Sequence, residues 1–201
     1  MAKVSRGQNG RSASREHPFP KEIKLPNGQV VTLRLMTIED KEAILNFARS
    51  LPSDDLLFLR TDITEAATVD DWTHNLESGA TVTVLAQIEA QIVGYASLHH
   101  DQARWTRRVG ELRLLLGPKY RGAGLGRRLA EEIFNLGERR GVKKMAAMMT
   151  PDQTGARAAF ERLGFQVEAL LQDWVVDRNG RPRDLLVMSH DVEGLSDRIS
   201  A

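Results

Sequence analysis

The 201-residue chain has no cysteine. That excludes disulfides, thiolate metal sites and an acyl group carried on a cysteine sulfur. An excess of either charge is also missing. Twenty-eight Lys and Arg stand against 27 Asp and Glu, leaving +1, so bulk charge argues for neither nucleic acid nor an acidic membrane surface. No apolar run is long enough to span a bilayer, and the basic N-terminus lacks the apolar stretch of a secretory signal. Together these absences predict a cytoplasmic protein with no membrane partner and no nucleic-acid partner. What is present is ordinary for one globular domain: 41% apolar and 27% charged residues, enough to bury a sizeable core.

Residues 1–22 are rich in Ser, Gly and Arg with almost no apolar periodicity, and read as a flexible tail. The domain is expected over 23–194, with a short tail at 195–201. Val30–Leu35 alternates as a strand after the turn Pro26-Asn27-Gly28. Thr37, with Asp40 three positions on, can cap a helix carrying Ile44, Phe47, Ala48 and Leu51 and ended by Pro52. Helical stretches follow at 54–60 and 70–77. Thr81–Ile88 and residues 92–98 read as a hairpin, residues 101–108 as a polar loop holding Trp105, and Val109–Leu116 as a central strand. Leu125, Leu129, Ile133 and Leu136 form one helical stripe, closed by Arg139, Arg140 and Gly141. Residues 142–149 make another buried strand. Thr150-Pro151-Asp152-Gln153 reads as a capping box with proline at the first position of a helix that stops at Leu163-Gly164. Residues 165–176 and 184–189 flank a turn at Asn179-Gly180. The order β-α-α-β-β-β-α-β-α-β-β predicts an α/β (α+β) fold, a central mixed sheet flanked by helices.

The most informative stretch is Arg121-Gly122-Ala123-Gly124-Leu125-Gly126-Arg127. Strand, glycine-rich turn and helix start make a diphosphate site, because glycines let the backbone come close and the free N–H groups of a helix N-terminus point at the anion. A Walker loop would follow its last glycine with Lys and Ser or Thr, whereas Gly126 is followed by Arg127-Arg128. A dinucleotide loop would read G-x-G-x-x-G with a carboxylate at the end of the next strand. Here the loop reads G-x-G-x-G and that strand ends Met148-Met149-Thr150.

The run Leu114-Leu115-Leu116-Gly117-Pro118-Lys119-Tyr120-Arg121-Gly122-Ala123-Gly124-Leu125-Gly126 resembles the acetyl-CoA loop of the GNAT superfamily of N-acetyltransferases. Arg121, Gly124 and Gly126 stand at its defining positions. Phe160-Glu161-Arg162-Leu163-Gly164-Phe165 resembles the family's helix exit, and the likeness extends over roughly residues 28–192. The resemblance implies a GNAT-like acyl-CoA N-acyltransferase fold, acetyl-CoA as co-substrate and no metal. It implies that backbone groups of Leu114, Leu115 and Leu116 pair with the pantetheine arm. Amides of Gly122, Ala123, Gly124, Leu125, Gly126 and Arg127 would hold the pyrophosphate, with Arg127 adding a charge-assisted bond. A backbone amide at Leu114 or a neighbour would face the thioester oxyanion.

Amine acetylation needs a neutral amine, so a base helps. Glu111 stands where related enzymes often carry a glutamate. It could act directly or through a water, and could equally pair with Arg113. Many family members carry an Asn early in the last helix and a sulfur-protonating Tyr seven residues later. Those positions are Gln153 and Phe160 here, so Gln153 could still touch the cofactor or only cap its helix, and Phe160 would pack against the pantetheine or the core. Phe160 has no proton to give, but a thiolate whose conjugate acid has a pKa of roughly 8.5 can leave unaided.

His99-His100-Asp101 invites a metal reading. Adjacent strand residues point to opposite faces and cannot easily share one ion, although one of the two could face the acceptor as an auxiliary base. Arg139, Arg140, Lys143 and Lys144 could meet the 3′-phosphate of CoA or simply offset the helix dipole. The expected activity is acetyl transfer to a small-molecule or peptide amine, by a monomer or homodimer. The alternative is a catalytically weak or inactive acyl-CoA-binding regulatory module on the same fold.

Overall fold

The computed structural model describes residues 19–192 apart from 57, 58, 60, 102–104 and 178. Among them are eight strands: β1 (Lys21–Lys24), β2 (Val30–Leu35), β3 (Thr81–Ile88), β4 (Gln91–His99), β5 (Val109–Leu116), β6 (Lys144–Met149), β7 (Gln166–Val176) and β8 (Pro182–Asp191). They form one sheet in the spatial order β1-β2-β3-β4-β5-β6-β8-β7. Every neighbouring pair is antiparallel except β5 with β6, which is parallel. A parallel pair needs a crossover, and α4 (Leu125–Arg139) supplies it. Helices α1 (Lys41–Arg49), α2 (Ser53–Leu56) and α3 (Ala66–Glu77) lie between β2 and β3, and α5 (Thr154–Arg162) follows β6.

Strand alternation divides the interior into two layers. Val82, Val84 and Ala86 of β3 pack with Leu125, Leu129 and Ile133 of α4. Leu85 of β3, Tyr95 of β4 and Leu115 of β5 pack on the other face, under α1 and α3. There Trp72 sits edge-on to Tyr95 with ring centroids 4.9 Å apart, and its Nε1–H donates to Thr83 Oγ1 at 3.1 Å. A buried indole thus keeps a partner for its polar end.

Several boundaries differ from expectation. Residues 21 and 22, assigned above to the tail, belong to β1, which pairs with β2 from Lys21↔Leu33 to Lys24↔Val30. This edge strand hides because Lys21-Glu22-Ile23-Lys24 offers one apolar residue in four. Residues 1–18 and 195–201 lie outside the described residues. The helix expected after Thr37 begins with a 3₁₀ turn, Ile38–Asp40, before α1. The Thr37 N–H donates to Asp40 Oδ2 at 2.8 Å, and Arg34 grips both carboxylate oxygens, with Nη1 2.7 Å from Oδ2. Burial works against the Asp40 charge, but Arg34 and the Thr37 groups outweigh it and hold the carboxyl below its usual range. The last helix starts at Thr154, one turn later than the proline suggested. Half of the anticipated capping box forms nonetheless, since Gln153 Oε1 accepts the Thr150 N–H at 3.0 Å.

Candidate acetyl-transfer site

β5 is paired with β4 over six rows, from His99↔Glu111 to Gly94↔Leu116. With β6 it shares three: Val109↔Lys144, Gly110↔Met145 and Glu111↔Ala146. Beyond Glu111 the two strands part. β6 continues to Met149, held by β8 through Met149↔Leu186. The main chain of 112–116 therefore leaves the ladder on its β6 flank. Unpaired strand edges are strong hydrogen-bonding templates.

At the end of this flank the chain turns through Pro118–Tyr120 and enters α4 by way of Gly122 (φ 74°) and Gly124 (φ 82°). This left-handed region costs a residue with a side chain about 1–2 kcal/mol. A Cβ at either position would meet nothing within 4 Å, so the backbone demands glycine while the space above stays open. The Arg128 N–H bonds back to Gly124 O at 3.2 Å. The amides of 125–127 precede it in the first turn, where a helix has no partners to offer and its dipole is positive. A Cβ on Gly126 would come 3.2 Å from Leu116 Cδ1 and 3.3 Å from Leu114 Cδ2, so the helix start is pressed directly onto the parted strand. A hollow of about 450 Å³ beside the loop is lined by Lys24, Ala123, Gly124, Arg127 and Arg128, among others. This cradle fits a ligand that joins an anionic diphosphate to an extended, amide-bearing arm, as coenzyme A does.

The predicted residues fall into three groups. Leu114, Leu115, Leu116 and residues 121–127 are contiguous in space along the parted strand and loop. Leu115 faces the α1/α3 layer, whereas Leu114 and Leu116 pack toward α4. Arg121 is exposed but folds back onto its own strand. Its Nε and Nη2 donate to Leu116 O at 3.2 and 2.9 Å, and Nη2 stands 2.7 Å from Asp55 Oδ2 of α2. Sequence reading missed Asp55, for nothing in its own segment signals a partner 66 positions away. Arg127 Nε reaches Glu131 Oε1 at 2.8 Å, and Arg128 Nη1 the other oxygen at 3.3 Å.

A second group lies across the opening, on the β6 arm. Gln153 caps α5. Phe160 is buried, edge-on to Phe165 with centroids 5.0 Å apart. Arg139, Arg140 and Lys144 stand at or beyond the far end of α4, about 22 Å along its axis from the glycine loop. Arg140 Nη1 donates to Gly79 O at 3.1 Å, and Lys144 Nζ lies 2.6 Å from Glu168 Oε1. Lys24, Arg127 and Arg128 are the cations that line the hollow beside the loop.

The third group sits at the vertex. Glu111 is the last β5 residue still paired with β6, and its side chain is 16% exposed. Arg113 Nε donates to its Oε1 at 2.7 Å. Across β4, His99 is register partner of Glu111 and Ser97 of Arg113. His99 Nδ1 lies 3.1 Å from Thr81 Oγ1 and its Nε2 2.9 Å from Ser97 Oγ, while His100 Nε2 turns away to Arg107 O. The two histidines diverge, as alternation requires.

A family model described as the acetyltransferase (GNAT) family matches residues 45–165. Among solved structures, the acetyltransferase of the GNAT family from Streptococcus pneumoniae is 20% identical, covering 81% of this chain and 99% of its own, with a TM-score of 0.71. Ribosomal-protein-alanine N-acetyltransferase from Brucella melitensis is 24% identical over 79% and 98%, with a TM-score of 0.70. A GNAT superfamily phosphinothricin acetyltransferase from Sinorhizobium meliloti, in complex with acetyl-CoA, is 23% identical over 83% and 91%, with a TM-score of 0.72. At these identities the structures are alike in fold. The family match spans more than half of the chain, from α1 through the parted strand and glycine loop to the end of α5, and the chain belongs to the acetyltransferase (GNAT) family.

Proposed function

We propose that the protein transfers an acetyl group from acetyl-CoA to a primary amine by direct attack within a ternary complex. The observation that carries this reading is the parting of β5 from β6 just beyond Glu111, beside a glycine loop at a helix N-terminus. Support also comes from the acetyl-CoA bound in the Sinorhizobium meliloti structure and from the N-acetylation named for the Brucella melitensis protein.

When bound, acetyl-CoA supplies an acetyl group already activated as a thioester. The free flank of 114–116 pairs with the pantetheine arm in the manner of an added strand, and the amides of 122–127 take the diphosphate. A backbone N–H at Leu114 polarises the acyl oxygen. Glu111, paired with Arg113, accepts the amine's proton directly or through a water. No cysteine exists to hold the acyl group, so the amine attacks the thioester itself. Phe160 is buried and has no proton to offer the departing sulfur. A thiolate of ordinary basicity leaves without one.

Phe160 also favours a rival, a regulatory module that binds acyl-CoA without turnover. Mixing the protein with acetyl-CoA and a panel of small and peptide amines, while following free thiol, separates the two. Amine-dependent thiol release is the expected result. Calorimetric binding of acetyl-CoA with no release on any amine would leave the rival, and no heat from acetyl-CoA at millimolar concentration would remove both.

A further inference from the structure

Glu111 decides from which side an amine can arrive. Its side chain shares a face of the sheet with Arg113 and Leu115, and Leu115 belongs to the layer under α1 and α3. An amine that hands its proton to Glu111 therefore comes from that face. Over β3, β4 and β5 the face is closed by those helices. Beyond β5 it is not, for among the described residues that layer holds none from β6, β7 or β8. The register carries the same face onward, from Glu111 to Ala146 of β6 and then to Ser189 of β8. The way to the vertex is thus an uncovered floor of three strands, and the chemistry of that floor selects what lies on it.

We propose that the acceptor is a small amine with a hydrocarbon body and no acidic group, laid on this floor with its nitrogen at Glu111. The proposal rests on the amine-acetylation reading above and deepens it by naming the substrate class. The balance is that of any such transfer. The nitrogen bonds to the acetyl carbon and the C–S bond breaks, so that an alkylammonium and a thioester give an amide, a thiol and one proton released to water.

Hydrocarbon suits the floor because the floor is itself hydrocarbon. Met148 lies one pleat along β6 from Ala146 and is 45% exposed. Val187 of β8 opposes it, and Leu185 opposes Leu171 of β7 in the next row. Val187, Leu185 and Leu171 are half-buried. This apolar surface stands in water, and a ligand that dries it gains in proportion to the area covered. A peptide suits the floor less well. β8 is paired on both sides, to β6 and to β7, so its main-chain groups are spent. Peptide amides laid across it would lose water without gaining partners. An acid suits it no better. The cations that the register sets on this face are Arg113, Lys144 and Arg183. Each already has a carboxylate: Glu111 at 2.7 Å, Glu168 at 2.6 Å and Asp152 at 2.8 Å. A carboxylate on the acceptor would meet no unpaired cation among them and would stand beside Glu111.

The test is kcat/KM, followed by thiol release, for propylamine, butylamine and hexylamine, for 2-phenylethylamine against phenylalanine, and for a tripeptide with an N-terminal leucine. The value should rise about twofold to fourfold for each added methylene. 2-Phenylethylamine should exceed phenylalanine by about a hundredfold. The two share a ring and an amine, and 2-phenylethylamine is the stronger base, so its smaller neutral fraction works against this order. Met148→Lys supplies an unpaired cation and should cut that ratio about tenfold at unchanged KM for acetyl-CoA. Val187→Thr puts a hydroxyl in the floor and should flatten the chain-length slope; it serves if Met148→Lys does not fold. A value flat in chain length, phenylalanine or the tripeptide equal to or above the plain amines, or variants that leave both the ratio and the slope unmoved would each overturn the proposal. Acetylation of the amino acid or the tripeptide would at the same time leave the amine-acetylation reading standing. A dimer in sedimentation that Met148→Lys splits would mean that the floor receives a second copy of the chain, and would overturn the proposal too. A wild type that releases no thiol with any amine sinks the underlying reading, and this inference with it.

Discussion

The two flanks of β5 behave in opposite ways. Toward β4 the strand is paired along six rows and is covered by α4 on one face and by α1 and α3 on the other. Toward β6 it is paired along three rows and then runs free. Beyond the opening, the β6–β8–β7 end leaves large apolar side chains in the open: Met148 is 45% exposed, Leu170 51% and Trp174 66%. One strand thus joins a closed, two-sided core to an open edge. Both flanks belong to one strand, so it is the pairing of the backbone that makes one side a framework and leaves the other as a candidate binding edge.

The sharpest way to break this comparison is Gly124→Glu. It places a side chain at φ 82° and a negative charge on the diphosphate path. Acetyl-CoA affinity should fall more than about a hundredfold in calorimetry, well beyond what the roughly 1–2 kcal/mol of backbone strain takes from thermal stability, and unchanged affinity would refute the loop's role. On the closed flank, Leu129→Ala empties a fully buried site in α4 and should cost about 3 kcal/mol in denaturant unfolding. A cost near zero would mean that α4 is not anchored as described. At the vertex, Glu111→Gln should lower kcat about a hundredfold with acetyl-CoA affinity intact. A kcat that matches wild type across the pH range would remove Glu111 as the base.

A smaller effect tests the ion pair that fastens β2 to the turn before α1. The Asp40 carboxyl is depressed in the folded chain, so its contribution is present above the ordinary carboxylate range, near 3.9, and is lost as the pH falls through its lower folded value. Wild type should therefore exceed Asp40→Asn in unfolding midpoint at pH 7, with the gap closing in acid. A gap that is constant with pH would deny the charge any part in it. Smallest of all, Leu170→Ala on exposed β7 should stay within about 0.5 kcal/mol of wild type. A larger loss would mean that this side chain is covered in solution.

What could be read in advance follows from where the information lies. β3, β5 and the start of α4 are local patterns, an apolar alternation or run and a glycine loop, and the structure has them at the predicted residues. β1 was invisible because Lys21-Glu22-Ile23-Lys24 takes its strand character from pairing with β2, not from its own composition. Pro151 pointed to a helix start one turn early because the Thr150–Gln153 turn uses the same residues as a helix cap. The glycine loop was legible; the grip of Arg121 on Leu116 O and Asp55 was not. Neither was the register that sets His99 against Glu111, because it depends on how three strands slide together.

The parted flank of β5 offers main-chain groups, and those are the same whatever residues carry them. Ligand contacts written in peptide units cannot be erased by ordinary point substitutions along 112–116, which answer instead to the packing beneath. Lineages sharing this fold can therefore drift to about one identical residue in five, as its structural relatives have, without rewriting the strand proposed to receive the cofactor. Selection is left free to reshape the opposite rim of the parting.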